Sequence, residues 1–108
     1  MSELRTGGQV IADHLAANGV PYVVGIPGHG CLPMVDAFLG RDRPTFLQVR
    51  HEQSAAHLAD AYFRLARRPL AVMTSIGPGA VNTAGGIAPS PWNAAGRTET
   101  GRPPCGSR

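Results

Sequence analysis

The sequence predicts an α/β fold for residues 1–88, a partial parallel sheet in a three-layer α/β/α arrangement, followed by a disordered tail at 89–108. Three observations carry this. The short β-rich runs "YVVGI", "TFLQV" and "LAVMTS" lack the alternation of a half-solvated strand, as expected where both faces of a sheet are covered. Segments with helical spacing separate them, which implies parallel pairing through right-handed crossovers. Glycine-rich turns follow the first and third runs.

The elements follow in order. "GGQVIADHLAANGV" puts Val10, Ile11 and Leu15 on one helical face, with Asn18-Gly19 as its stop. "YVVGI" is the first strand. "CLPMVDAFLG" is a short helix, because Pro33 is tolerated only in a first turn. "TFLQV" is the second strand. Residues 52–67 form the long helix, where Ala55, Ala59, Tyr62 and Ala66 recur at helical spacing. It carries so little polar surface that packing on more than one side is expected. "LAVMTS" is a third buried strand, and "GPGAVNTAGGIA" reads as a tight turn running into a helix. The tail "PSPWNAAGRTETGRPPCGSR" holds four Pro and three Gly with no periodicity. It reads as disordered, or as a segment translated out of frame, since it begins abruptly inside an expected helix.

Composition excludes several classes. The chain of 108 residues is one domain at most, and 43% hydrophobic residues are ordinary for a globular protein. No apolar run approaches the roughly 18 residues of a membrane span, and "MSELRTGG" has no signal-peptide core, so a cytoplasmic address is expected. Cys31 and Cys105 are too few and too badly placed for a disulfide framework or a metal site, and read as unpaired thiols. The net charge of +3 has no basic stripe with interleaved aromatics, and residues 1–88 carry seven Arg against six acids. A nucleic-acid partner is therefore not expected.

In open parallel sheets, ligands bind beyond the carboxyl ends of the strands. Three loops leave those ends: "GIPGHG", "RHEQ" and "SIGPGAVN". The first and third are rich in glycine, which lets backbone approach a ligand. Neither has the order of a dinucleotide fingerprint or the Gly-Lys-Ser/Thr of a P-loop. The second loop places Glu52 at the entrance of the long helix, directly after a strand.

The ordered set "GVPYVVGIPG", "VRHEQSAAHLADAYFR" and "TSIGPGAVNTAGGIA", over roughly residues 5–88, resembles the N-terminal pyrimidine-binding domain of thiamine-diphosphate-dependent enzymes, nearest to the acetolactate synthase-like branch. The resemblance implies thiamine diphosphate as cofactor and Glu52 as catalytic residue. In the family this glutamate hydrogen-bonds N1′ of the aminopyrimidine and shuttles a proton there, which prepares the cofactor to attack a 2-oxo acid. The cofactor is the electron sink, while the protein positions it and tunes its protonation. An ordinary glutamate pKa is about 4.3. Burial raises it by up to about 3–5 units, whereas a helix N-terminus offsets at most around 1.5. If Glu52 is dry in the complete enzyme, its pKa moves toward neutrality, where proton transfer is efficient.

Other residues carry over one at a time. Pro27 matches the loop beside the pyrimidine, and Pro78 and Asn82 match positions lining the cofactor pocket. "TSIGPG" is one residue longer than the family's usual "TSGPG", so Thr74 and Ser75 compete for one cofactor-binding place. Ala61 and Phe63 replace the glycine and alanine of the usual "ADGYAR". His29 is the candidate on the substrate side. His51 is an acid–base candidate that in many relatives positions the loop instead.

The resemblance also defines what is missing. The family needs a diphosphate-binding domain whose motif holds a divalent metal, and Mg2+ is expected only with that domain. Asp13, Asp36, Asp42 and Asp60 are scattered, with no oxygen-rich cluster, so no metal site is assigned here. The partner implied is the diphosphate-binding domain of another subunit or chain, in a homo-oligomer for a full-length enzyme. The reading is thus the pyrimidine-side fragment of a 2-oxo-acid carboligase or decarboxylase, inactive alone, either frameshifted or a true short subunit. The alternative is a non-catalytic α/β module for nucleotide binding or oligomerisation. The motifs do not name a substrate. With three strands, the sheet is expected to have an unpaired edge and an exposed apolar face.

Overall fold

A computed structural model of the chain describes residues 4–89. The tail expected to be disordered lies outside the described residues, apart from its first position. The order is α1 (Gly7–Ala17), β1 (Tyr22–Gly25), a 3-10 turn (His29–Cys31), α2 (Leu32–Asp36), β2 (Thr45–Gln48), α3 (Glu52–Ala66), β3 (Ala71–Met73), α4 (Pro78–Asn82) and α5 (Ala84–Ile87). The α/β class and the parallel three-stranded sheet are as the sequence predicts, with strand order β2-β1-β3.

That order makes the chain step to one side of β1 and then across to the other. Right-handed crossovers then require α2 and α3 on opposite faces. The packing agrees: α1 lies on α2, while α3 lies on β1, β3, α4 and α5. Register assigns the strand residues to faces. Val23, Phe46 and Ala71 align across the sheet and join Ala12, Cys31, Ala37, Phe38 and Met73 in the core under α1 and α2. Val24, Leu47 and Val72 align one position on and face the α3 side. Val23 and Val24 are buried from opposite sides, and each contributes about 1.5–3 kcal/mol relative to exposure.

Local chemistry explains the boundaries. Thr6 Oγ1 accepts from Gln9 N–H at 3.2 Å while the Gln9 side chain accepts from Thr6 N–H at 2.9 Å, a capping box that starts α1. Asn18 caps its other end, and Gly19 follows at φ +71°. Pro33 stands in the first turn of α2. Asp13 on α1 binds both Arg5 and Arg41, at 2.6 Å each, and so ties the helix to the segment before β2.

Three expectations change. Val10 and Ile11 are exposed, and the packed stripe of α1 is Gly8, Ala12 and Leu15. A Cβ on Gly8 would stand 2.8 Å from Pro33 O, so small residues set this helix–helix approach. α3 packs on the sheet and also on α4 and α5, the more than one side expected of it, with Leu58 and Leu65 left exposed. β3 is an edge strand among the described residues. An apolar groove of about 350 Å³, lined by Phe63, Leu70, Val72 and Ile87, lies open beside it, so Val72 is not covered on the α3 face as a buried strand would be. The helix expected from "GPGAVNTAGGIA" is two short ones, α4 and α5, meeting at Thr83.

Candidate functional site

Parallel pairing brings Gly25, Gln48 and Met73 to one end of the sheet. The three loops singled out in the sequence leave from that end. Glu52 is the first residue of α3, and the residue before it, His51, is extended at φ −149° and ψ 139° and serves as N-cap. Its Nδ1 accepts from Gln53 N–H at 3.1 Å, and its carbonyl accepts from Ser54 N–H at 3.0 Å.

The third loop reaches this turn from the other side. Gly77, at φ +67° and ψ −125°, takes a positive-φ conformation open to glycine, and Pro78 begins α4 directly after it. α4 carries Asn82 back to α3, where its Nδ2 donates to Glu52 Oε2 at 3.2 Å. Gly79 lies below: a Cβ there would stand 3.0 Å from Glu52 Oε1. A hydrogen bond from its own backbone N–H, then the Asn82 amide, hold the Glu52 carboxyl below the usual glutamate range, against a smaller push from burial. Glu52 is half-buried. The rise toward neutrality foreseen for a dry glutamate therefore does not occur in this chain by itself, because hydrogen-bond donors outweigh desolvation on an open face.

The first loop closes on the third. A Cβ on Gly28 would stand 2.5 Å from both Cβ and Oγ of Ser75, and one on Gly30 would meet Ile76 Cγ2 at 2.8 Å. Cys31, a free and buried thiol, holds the first loop from beneath by accepting from Gly28 N–H at 3.3 Å. Pro27 is half-buried beside Gly28, and His29 is exposed at the start of the 3-10 turn. Thr74 is half-buried just after β3, and Pro78 opens α4.

Of the candidates, the structure joins Glu52 and Asn82 directly, while Pro27, His29, Thr74 and Pro78 stand on the flanking loops. Of the two residues competing in the third loop, Ser75 is the one at the loop junction, near both Gly28 and Gly79. Sequence reading did not single out Gly79 or the capping role of His51. The signal for His51 was available, since it stands one residue before the first turn of a strongly helical segment. Among the described residues, no three or more His, Cys, Asp or Glu gather as a metal-binding group, and no helix is long and apolar enough to cross a membrane.

Comparison with known proteins gives this arrangement a family. A family model described as the thiamine pyrophosphate enzyme, N-terminal TPP binding domain, matches residues 5–92. The chain is 38% identical over 78 residues to an acetolactate synthase catalytic subunit, mitochondrial, of Aspergillus candidus, covering 72% of this chain and 11% of that protein. It is 40% identical over 78 residues to the mitochondrial acetolactate synthase of Schizosaccharomyces pombe, covering 72% and 12%. It is 38% identical over 82 residues to the acetolactate synthase large subunit of Haemophilus influenzae, covering 76% and 14%. The chain thus spans between a tenth and a sixth of the length of these relatives. With the family's motifs in order at one end of a parallel sheet, and its model matched over most of the chain, this protein belongs to the N-terminal TPP-binding domain family of thiamine pyrophosphate enzymes.

Proposed function

We propose that the chain forms the aminopyrimidine side of a thiamine-diphosphate site in an acetolactate synthase-like carboligase or decarboxylase, with Glu52 as its catalytic carboxylate. The observation that carries this is the Glu52 carboxylate held by Asn82 beside a glycine wall, at the carboxyl end of a parallel sheet. The residues fit an aminopyrimidine: Glu52 supplies an acceptor that can take or give a proton, and bare Gly79 leaves room beside Oε1 that any side chain would fill. Pro27, Thr74 and Pro78 would line the pocket with backbone and small side chains, and His29 would face the substrate.

Bound thiamine diphosphate would supply the electron sink for chemistry at the carbonyl carbon of a 2-oxo acid. This chain's own part is narrower. Asn82 fixes Oε2 and thereby the carboxylate plane, and Glu52 holds or releases a proton. With water excluded by a second domain, the donors that now lower its pKa would act against a larger desolvation cost, raising it toward the working range. Mg2+ and the diphosphate are assigned to a diphosphate-binding domain on another subunit or chain. On this reading the chain is inactive alone, and the complete enzyme is a homo-oligomer. A cytoplasmic address belongs to the same proposal; fractionation checks it, because the fungal relatives named above are mitochondrial.

The test is Glu52→Gln in the chain reconstituted with a diphosphate-binding domain, Mg2+ and thiamine diphosphate. The reading expects turnover of a 2-oxo acid to fall about 10²–10⁴-fold with cofactor still bound. Equal turnover by the two proteins would leave a non-catalytic module as the function.

A further inference from the structure

We infer that His51 is a positioning residue for Glu52: its neutral imidazole, protonated on Nε2, caps α3 through Nδ1 and fixes the turn that aims the carboxylate at Asn82. The inference rests on the reading of Glu52 as the site's carboxylate, and it assigns His51 a role other than acid–base chemistry.

The position itself is informative. Helix N-caps are usually Ser, Thr, Asp or Asn, whose side-chain oxygen accepts from the N2 or N3 amide. α1 follows that rule with Thr6. α3 is the longest helix described, at 15 residues, and a ring nitrogen does the work there. Nδ1 accepts from Gln53 N–H at 3.1 Å while the His51 carbonyl takes Ser54 N–H at 3.0 Å. Two of the first turn's orphan amides thus end on one residue.

Chemistry then fixes the state of the ring. A nitrogen that accepts carries a lone pair, so the single proton of the neutral imidazole belongs on Nε2. An imidazolium has no acceptor and would leave Gln53 N–H without its partner. With Nδ1 engaged by backbone and the proton on Nε2, this ring is not placed to take a proton from a ligand.

Glu52 lies between the capping residue and the capped one. Its backbone is set by the His51 turn, and its carboxylate by Asn82 Nδ2 at 3.2 Å from α4. These two supports come from different elements, so losing the cap should loosen the contact with Asn82 even though neither partner is altered. A residue that merely filled space would not have this reach.

The experiment is NMR on the full chain, comparing wild type with His51→Ala and His51→Asn. Long-range 1H–15N spectra of the wild type are expected to show His51 protonated on Nε2. In His51→Ala, the Gln53 amide should exchange about fivefold faster, the effect of a lost cap, and the Asn82 side-chain amide protons should lose the shift given by Glu52. His51→Asn, which keeps an acceptor, should restore both. A wild-type proton on Nδ1 would overturn the inference without any variant, as would identical behaviour of the Ala and Asn variants. The cap readouts need no cofactor. If they come out as expected while Glu52→Gln leaves turnover unchanged in the reconstituted complex, the catalytic reading of Glu52 fails and the cap stands.

Discussion

Asn82 Nδ2 donates to Glu52 Oε2 at 3.2 Å, a bond between residues thirty positions apart that joins the end of α4 to the start of α3. Each residue lies on a loop side of the sheet's carboxyl end. Their meeting makes the second and third loops one site.

Removing this donor should change how the protein responds to acid. Glu52 has its folded pKa lowered, so the stability it contributes is fully present above the unfolded glutamate value, about 4.3, and is lost as pH falls through the folded value. Asn82→Ala should raise the folded value and narrow that window. Carboxyl 13C titration reads the pKa directly, and urea unfolding between pH 3 and 6 reads the linkage. Identical Glu52 titrations in the two proteins would show that its own backbone amide accounts for the whole effect.

Much of this arrangement is legible in the sequence, for reasons that also mark where it stops. Glycines, β-rich runs and the spacing of Ala55, Ala59 and Tyr62 are local signals, and they locate the strands, α3 and the three loops. The buried stripe of α1 is not found this way, because Gly8 and Ala12 weigh little beside Val10 and Ile11 in any hydrophobic pattern. Yet smallness is what lets α1 approach Pro33. The junction at Ser75 is hidden too, since its partner Gly28 lies on another loop. Likewise the open groove beside Val72 depends on what else pairs with β3, which "LAVMTS" does not encode.

The meeting of the first and third loops gives a second prediction. A Cβ at position 28 would lie 2.5 Å from Ser75 Cβ and Oγ, nearer than unbonded carbons approach. Gly28→Ala should therefore push the loops apart, costing about 1–3 kcal/mol. Because the obstacle is a side chain, Ser75→Gly in the same protein should recover most of the loss. A double-mutant cycle by denaturant unfolding measures that coupling; additive losses would contradict the contact.

Gly86 presents the opposite case, a close approach that no neighbouring side chain can relieve. It is buried in α5, where an added Cβ would meet Ala56 Cβ at 2.6 Å and the Gln53 carbonyl oxygen at 2.8 Å. The carbonyl belongs to the first turn of α3, so it cannot turn away without disturbing the helix that begins at Glu52. Gly86→Ala should then cost about 1–3 kcal/mol, despite the roughly 0.5–1 kcal/mol that alanine gains over glycine within a helix. Gly7→Ala is the control, since nothing lies within 4 Å of its added Cβ, and it should be neutral or slightly stabilising. Truncating Ala56 to glycine should not rescue Gly86→Ala, because the backbone oxygen remains in place. Paired thermal melts of these variants decide it: a full rescue by Ala56→Gly would mean that α5 is held off by the Ala56 methyl alone and that α3's first turn plays no part in seating it.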